Sequence, residues 1–175
     1  MNGDPVEYPG SSGPEHAGVP TVEIKAGNPT ALPPYVIDTS VAVKWYIPET
    51  LSLEAKRYMG KGLDRHAPDY LPAEAASVVL KRVRSRDTEL KLTFDEARMV
   101  LAALKTTPIQ FHESRMLIDP SFALAEQVGS SLYDGLFLAL ALQLGGQLVT
   151  ADAKLFKKIR ASPYAASVRW VANAP

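Results

Sequence analysis

Beyond Pro34 the apolar positions fall into short β-branched or aliphatic clusters and longer stretches in which apolar side chains return every three or four positions. The short clusters predict strands at Tyr35–Ile37, Ile109–Phe111, Gln147–Val149 and Ser167–Val171. Helices are predicted at Ser52–Lys61, stopped by Gly60 and Gly62, and at Asp69–Arg86, where Pro72 is tolerated only because it lies in the first turn. Thr93 and Glu96 have capping-box spacing and open a helix through Lys105, with Pro108 blocking continuation. Asp119–Pro120 caps a helix reaching about Val128, Ser131–Leu144 is closed by Gly145–Gly146, and Asp152–Arg160 is a basic helix. Within Ser131–Leu144 the run LFLALAL, Leu136–Leu142, is apolar on every face, so this helix is expected to be central and fully buried. Strands alternating with helices predict an α/β domain whose largely parallel sheet is covered on both faces.

Composition separates the first 34 residues from this pattern. They are dense in Gly, Pro and Ser and lack apolar periodicity, so they are expected to form a disordered leader before a folded unit at 35–175, with a short strand conceivable at Val22–Ile24. A chain of 175 residues with 46% hydrophobic residues suits one domain with a proper core. The absence of cysteine excludes disulfides, thiolate metal sites and cysteine nucleophiles, and fits a reducing cytoplasm. No segment has the roughly 18 apolar residues needed to cross a bilayer, so no membrane association is expected. The zero net charge hides an asymmetry: the leader carries four acids against Lys25, leaving 18 basic and 15 acidic residues from Tyr35 onward. That excess is mildly attractive to a polyanion.

Candidate chemistry rests on acids. Asp38 follows the strand YVI, Asp134 heads LFLALAL, and Asp152 lies just beyond QLVT. Glu74 sits early in the long helix. Each also fits a structural role: Asp38 and Asp152 as helix caps, Asp134 as the partner of Ser131 in a capping box, Glu74 as a favourable charge on a helix dipole. Taken together they point elsewhere, because residues following parallel strands converge on one sheet edge. Uncompensated carboxylates gathered there repel by roughly 4 kcal/mol per pair at 4 Å and an effective dielectric of 20. A divalent cation removes that penalty, and an all-oxygen donor set favours Mg²⁺ or Mn²⁺. His66 and His112 lack metal-ligand spacing and read as surface or core histidines.

The run VIDTSVAVKWYIPE, with Thr39 and Ser40 directly after the acid, the run LPAEAASVVLKRV, and SLYDGLFLALALQLGGQLVTADAKL occur in the order and spacing of a known family. Together they resemble PIN-domain nucleases, in particular VapC-type toxins of toxin–antitoxin pairs, over about residues 35–171. The resemblance implies a three-layer α/β/α fold with a central, mostly parallel sheet, divalent metal at an acidic pocket, and hydrolysis of RNA phosphodiester bonds. Carried over, Asp38, Glu74, Asp134 and Asp152 become catalytic and metal-binding residues, with Thr39, Ser40 and Thr150 as supporting hydroxyls. It also implies an antitoxin that blocks the pocket, with Ser52–Lys61 and Asp69–Arg86 as candidate groove walls, and a homodimer is expected. Gly135 departs from the family's usual alanine after the aspartate, and the leader is atypical.

The reaction expected is metal-assisted hydrolysis in a cytoplasmic endoribonuclease. The basic runs containing Lys81, Arg82, Arg84 and Arg86, and Lys154, Lys157 and Lys158, are candidates to hold the RNA backbone, although solvated helix faces account for them equally. A haloacid-dehalogenase-type phosphatase is excluded by Ser40 standing where its second aspartate belongs, and no phosphate-loop or dinucleotide fingerprint occurs. The rival from another class is a non-catalytic module of the same fold that binds RNA or protein through an idle pocket.

Overall fold

The computed structural model describes residues 32–175; the leader to residue 31, including the strand conceivable at Val22–Ile24, lies outside the described residues. Strand β1 (Tyr35–Ile37) leads into a short helix α1 (Thr39–Ala42), then α2 (Ser52–Arg57) and β2 (Arg65–Pro68). The chain continues through α3 (Leu71–Val83), α4 (Phe94–Thr106), β3 (Gln110–His112), α5 (Ile118–Val128) and α6 (Leu132–Gln143). It closes with β4 (Gln147–Thr150), α7 (Ala153–Arg160) and β5 (Val168–Trp170). The five strands form one sheet in the order β3-β2-β1-β4-β5, and every neighbouring pair is parallel. The crossovers from β1 to β2 to β3 travel one way across the sheet, and those from β3 to β4 to β5 travel the other. With right-handed connections this sends α1–α4 to one face and α5–α7 to the opposite one, giving the expected three layers.

The helix predicted to be central is so. Residues 135–141 of α6 are buried all round, packed on β1, β2 and β4 beneath and against α5 above. Gly135 explains why the α5–α6 contact is close: a Cβ there would lie 2.6 Å from the Ser121 carbonyl oxygen and 3.3 Å from the Ala125 Cβ. The departure from alanine therefore reflects packing. At the other end of α6, Gly146 passes so close to Pro34 that a Cβ would meet its carbonyl oxygen at 2.3 Å, and Gln147 N donates to that same oxygen.

Several boundaries differ from expectation. Strand β2 was not predicted, because Arg-His-Ala-Pro has no apolar run. It is held inside the sheet by Arg65, whose guanidinium reaches the carbonyls of Tyr58, Gly60 and Pro108, and by the buried His66. Pro68 ends the strand, where its missing donor costs nothing. Helix α3 starts at Leu71 rather than Asp69, since the Asp69 carboxylate accepts from the Ser114 amide and hydroxyl and its pKa is lowered by those bonds. Helix α5 is not capped by Asp119; it runs on from a tight turn at Ser114–Leu117 and has no side-chain cap. The capping box of Thr93 and Glu96 forms as predicted.

Candidate active site

In the strand order β3-β2-β1-β4-β5, chain direction across the sheet reverses at β1 and β4, and a crevice opens beyond their C-terminal ends. Asp38 is the first residue after β1 and Asp152 the second after β4. Glu74 reaches the crevice from the first turns of α3, and Asp134 from the first turn of α6. All four acids line one cleft of about 620 Å³, together with Thr39, Ser40, Lys44, Glu49 and Lys154.

Asp38 occupies the N-cap position of α1, yet its side chain caps nothing there. Its Oδ2 instead accepts from Ser40 Oγ at 2.5 Å and Thr150 Oγ1 at 2.6 Å. Both hydroxyls are oriented by the backbone: the Ala151 amide donates to Ser40 Oγ at 2.9 Å, and the Asp152 amide to Thr150 Oγ1 at 3.0 Å. Each hydroxyl has one proton, and because the amide it meets is itself a donor, that proton goes to Asp38. Burial drives the Asp38 carboxyl up from 3.8 to about 6; the two hydroxyl bonds pull it down, and the charges of Glu74 and Asp134 push it up further.

Glu74 is half-buried, and Thr39 Oγ1 donates to its Oε2 at 2.5 Å. Its pKa is also raised, chiefly by burial, with the Thr39 bond opposing and the Asp134 charge adding; Lys81 acts to lower it. Asp134 closes the capping box anticipated with Ser131: its amide donates to Ser131 Oγ at 3.1 Å, and its Oδ2 accepts from the Ser131 amide at 3.2 Å. Asp152 caps α7 through Oδ1, which accepts from Lys154 and Leu155 amides at 2.7 and 3.1 Å.

Every acid thus engages one oxygen with a protein donor. Among the described residues the second oxygen of each, Asp38 Oδ1, Glu74 Oε1, Asp134 Oδ1 and Asp152 Oδ2, has none. Nor does any of the four form an ion pair among the described residues. A bound cation would relieve the mutual repulsion of acids gathered in this way. The donor set is oxygen only, suited to Mg²⁺ or Mn²⁺. Among the described residues no three His, Cys, Asp or Glu side chains are drawn together tightly enough to enclose an ion directly, so the acids ring an open cleft.

The cleft also holds residues that sequence reasoning did not assign. Glu49 is clamped between Lys44 Nζ at 2.6 Å and the Arg82 guanidinium. It lies in an irregular stretch after Pro48, where no periodicity marks it. Arg82 is therefore held by Glu49 and half-buried, whereas Lys81, Arg84 and Arg86 are exposed on or just beyond the end of α3. On α7, Lys154 lines the cleft, Lys157 is exposed, and Lys158 Nζ donates to the Gly129 carbonyl at the end of α5. The two histidines do not line the cleft. His66 Nδ1 and His112 Nε2 are 3.0 Å apart, and burial together with His66 lowers the His112 pKa.

Three comparisons place this arrangement among known proteins. A family model described as PIN domain matches residues 35–161. Ribonuclease VapC3 of Pyrobaculum aerophilum is 31% identical over 129 residues, covering 72% of this chain and 95% of the relative. The crystal structure of PAE2754 from Pyrobaculum aerophilum superposes with a TM-score of 0.57 at 16% identity, over 79% of this chain and 83% of that one. The last similarity concerns the fold alone.

Proposed function

The chain belongs to the PIN-domain family, and we propose that it is a divalent-metal-dependent endoribonuclease of the VapC type, the toxin of a toxin–antitoxin pair. The observation that carries this reading is the set of four carboxylates around one cleft, each with one oxygen free of protein donors and none in an ion pair among the described residues. A non-catalytic pocket has no physical reason to keep a buried acid at a raised pKa beside two more negative charges.

Asp38, Glu74, Asp134 and Asp152 would hold the ion, one or two directly and the others through water, the mode that Mg²⁺ favours because it dehydrates reluctantly. A bound divalent cation would supply charge neutralisation at the phosphate and a more acidic attacking water. The protein's own contribution is position. Ser40 and Thr150 fix the Asp38 carboxylate from one side, so its second oxygen has a defined direction. Thr39 does the same for Glu74, and two helix N-termini orient Asp134 and Asp152. Lys81, Arg84 and Arg86 on one flank and Lys154 and Lys157 on the other would grip the RNA backbone. Arg82, clamped by Glu49, would act at the cleft rim.

The folded nuclease unit spans residues 35–175, with Pro34 tied to it through the carbonyl that accepts from Gln147 N. An antitoxin is the protein partner; exposed Leu53 on α2 and Leu80 on α3 support these helices as walls of its groove. The active form is a homodimer in the cytoplasm, and no helix among the described residues is long and apolar enough to cross a membrane.

The deciding experiment is cleavage of a mixed RNA and DNA panel by purified protein with Mg²⁺, Mn²⁺ or EDTA. RNA is cut internally with either metal, and EDTA abolishes cleavage. Binding of RNA without cleavage under any metal would leave only a non-catalytic module, and preferential cutting of DNA would redirect the substrate class.

A further inference from the structure

Tyr70, packed at the edge of the core, and Tyr133 form a stack at the starts of α3 and α6. Their ring centroids are 4.8 Å apart and the planes are inclined by 12°. Parallel overlap of this kind is one of the favoured aromatic geometries. Tyr70 is the residue before α3, four positions ahead of Glu74 and so on the same helix face. Tyr133 is in the first turn of α6, directly before Asp134. The stack thus bridges the two helix ends that deliver two of the four acids. Tyr133 covers one ring face with Tyr70 yet remains 51% exposed. A tyrosine in a well-ordered helix turn, backed by a second ring, is a rigid apolar plate presented to solvent beside the cleft.

We infer that Tyr133, backed by Tyr70, is a base-stacking platform: one unpaired nucleobase of the RNA lies on its outer face and so fixes which phosphate enters the acidic cleft. This deepens the ribonuclease reading and rests on it. The chemistry suits single-stranded RNA, whose splayed bases stack on aromatic side chains irrespective of sequence. The four acids cannot supply this positioning, since they address only charge. The flanking lysines and arginines grip a backbone that repeats at every nucleotide, so they do not set a register. A platform of this kind makes Tyr133 a positioning residue for the reaction.

The test measures binding in EDTA, so that the RNA stays intact, by fluorescence anisotropy with a short single-stranded RNA. Parent protein, Tyr133→Phe, Tyr133→Leu and Tyr133→Ala are each titrated with the full RNA and with versions carrying one abasic nucleotide at successive positions. In the parent, an abasic nucleotide at one position weakens binding by about tenfold, the size of one lost stack. Tyr133→Phe keeps both the affinity and that position-specific loss. Tyr133→Ala and Tyr133→Leu bind the full RNA about tenfold more weakly, and the abasic nucleotide then makes no further difference. A general loss of folding would weaken all RNAs alike and leave the abasic effect in place, so this coupling separates a platform from a structural role. Absence of coupling at every position, or full-strength binding by Tyr133→Ala, overturns the platform. Cleavage by the parent is followed in parallel with Mg²⁺. Coupling without cleavage supports the platform while removing the nuclease reading, and cleavage without coupling removes the platform alone.

Discussion

Replacing Asp38 by Asn removes one negative charge from the most buried of the four acids while keeping its shape. In the metal-free protein that carboxyl is raised to about 6 against 3.8 in an exposed aspartate, with burial as the leading cause. At pH 7 its ionised form therefore opposes folding by about 3 kcal/mol. Asparagine carries no charge, and its carbonyl oxygen still accepts from Ser40 and Thr150. Its amide protons, however, take the place of an oxygen that has no donor, and leaving them unpaired costs about 1 kcal/mol. The net expectation is a gain of about 2 kcal/mol for metal-free Asp38→Asn at pH 7, a rise in Tm of roughly 4–8 °C for a domain of this size. The pH dependence has a definite sign. Between 3.8 and about 6 the folded parent binds more protons than the unfolded chain, so this group's contribution declines as pH rises through that window and is flat above it. The advantage of the variant is accordingly absent near pH 4 and complete above pH 6. Saturating Mg²⁺ narrows or inverts the order, since a hundredfold excess over Kd adds about 2.7 kcal/mol to a parent that binds it. Thermal melts from pH 4 to pH 8, in EDTA and in Mg²⁺, measure all three effects, and cleavage by the variant falls by orders of magnitude. A metal-free variant that melts at or below the parent at pH 7, or an advantage that does not shrink on acidification, refutes the account of Asp38 as a strained buried anion.

Asp134→Asn should lose cleavage yet remain within about 1 kcal/mol of the parent in metal-free urea unfolding, because asparagine still accepts from the Ser131 amide; a larger loss would make capping its main role. Gly135→Ala brings a Cβ to 2.6 Å from the Ser121 carbonyl oxygen, so overpacking of about 1–3 kcal/mol should outweigh the roughly 1 kcal/mol gained in helix propensity and lower the urea midpoint. Replacing Lys81, Arg84 or Arg86 singly should reduce the slope of log K against log salt by about 0.7 per lost phosphate contact, with turnover of bound RNA preserved. Deleting residues 1–32, which stops short of the Pro34 carbonyl that Gln147 engages, should leave Tm and cleavage unchanged.

What was legible in the fold follows from where the signal resides. The all-apolar run of α6 could only be a central helix, and the Thr93–Glu96 box is a local device whose two bonds form whatever surrounds it. Strand β2 was illegible because its place in the sheet is set by partners far away in sequence: Arg65 to the carbonyl of Pro108, His66 to His112. A strand of Arg, His, Ala and Pro has no intrinsic tendency that a pattern could reveal, and its neighbours impose the extended form. The Asp119–Pro120 cap failed for the same reason in reverse: a helix entered from a preceding tight turn leaves its cap position unneeded.

The acids posed a different difficulty, since a helix cap and a candidate metal ligand can be the same residue at the same place in the chain. Asp134 and Asp152 are indeed caps, and each uses one oxygen for it. The two roles do not compete, because a carboxylate has a second oxygen and a cap leaves it free. Capping even serves the site: bonds to fixed amides restrict the carboxylate's rotation, so the remaining oxygen is held in one direction without a dedicated partner. Asp38 lies too deep to depend on a helix end, and Ser40 and Thr150 take over that task, each primed by a backbone amide. Thr39, Ser40 and Thr150, expected as supporting hydroxyls from the family resemblance, each donate to an acid of the cleft. Glu49 and Tyr133 were not, because what matters in them is contact with Arg82 and Tyr70, which only the packed helices bring about.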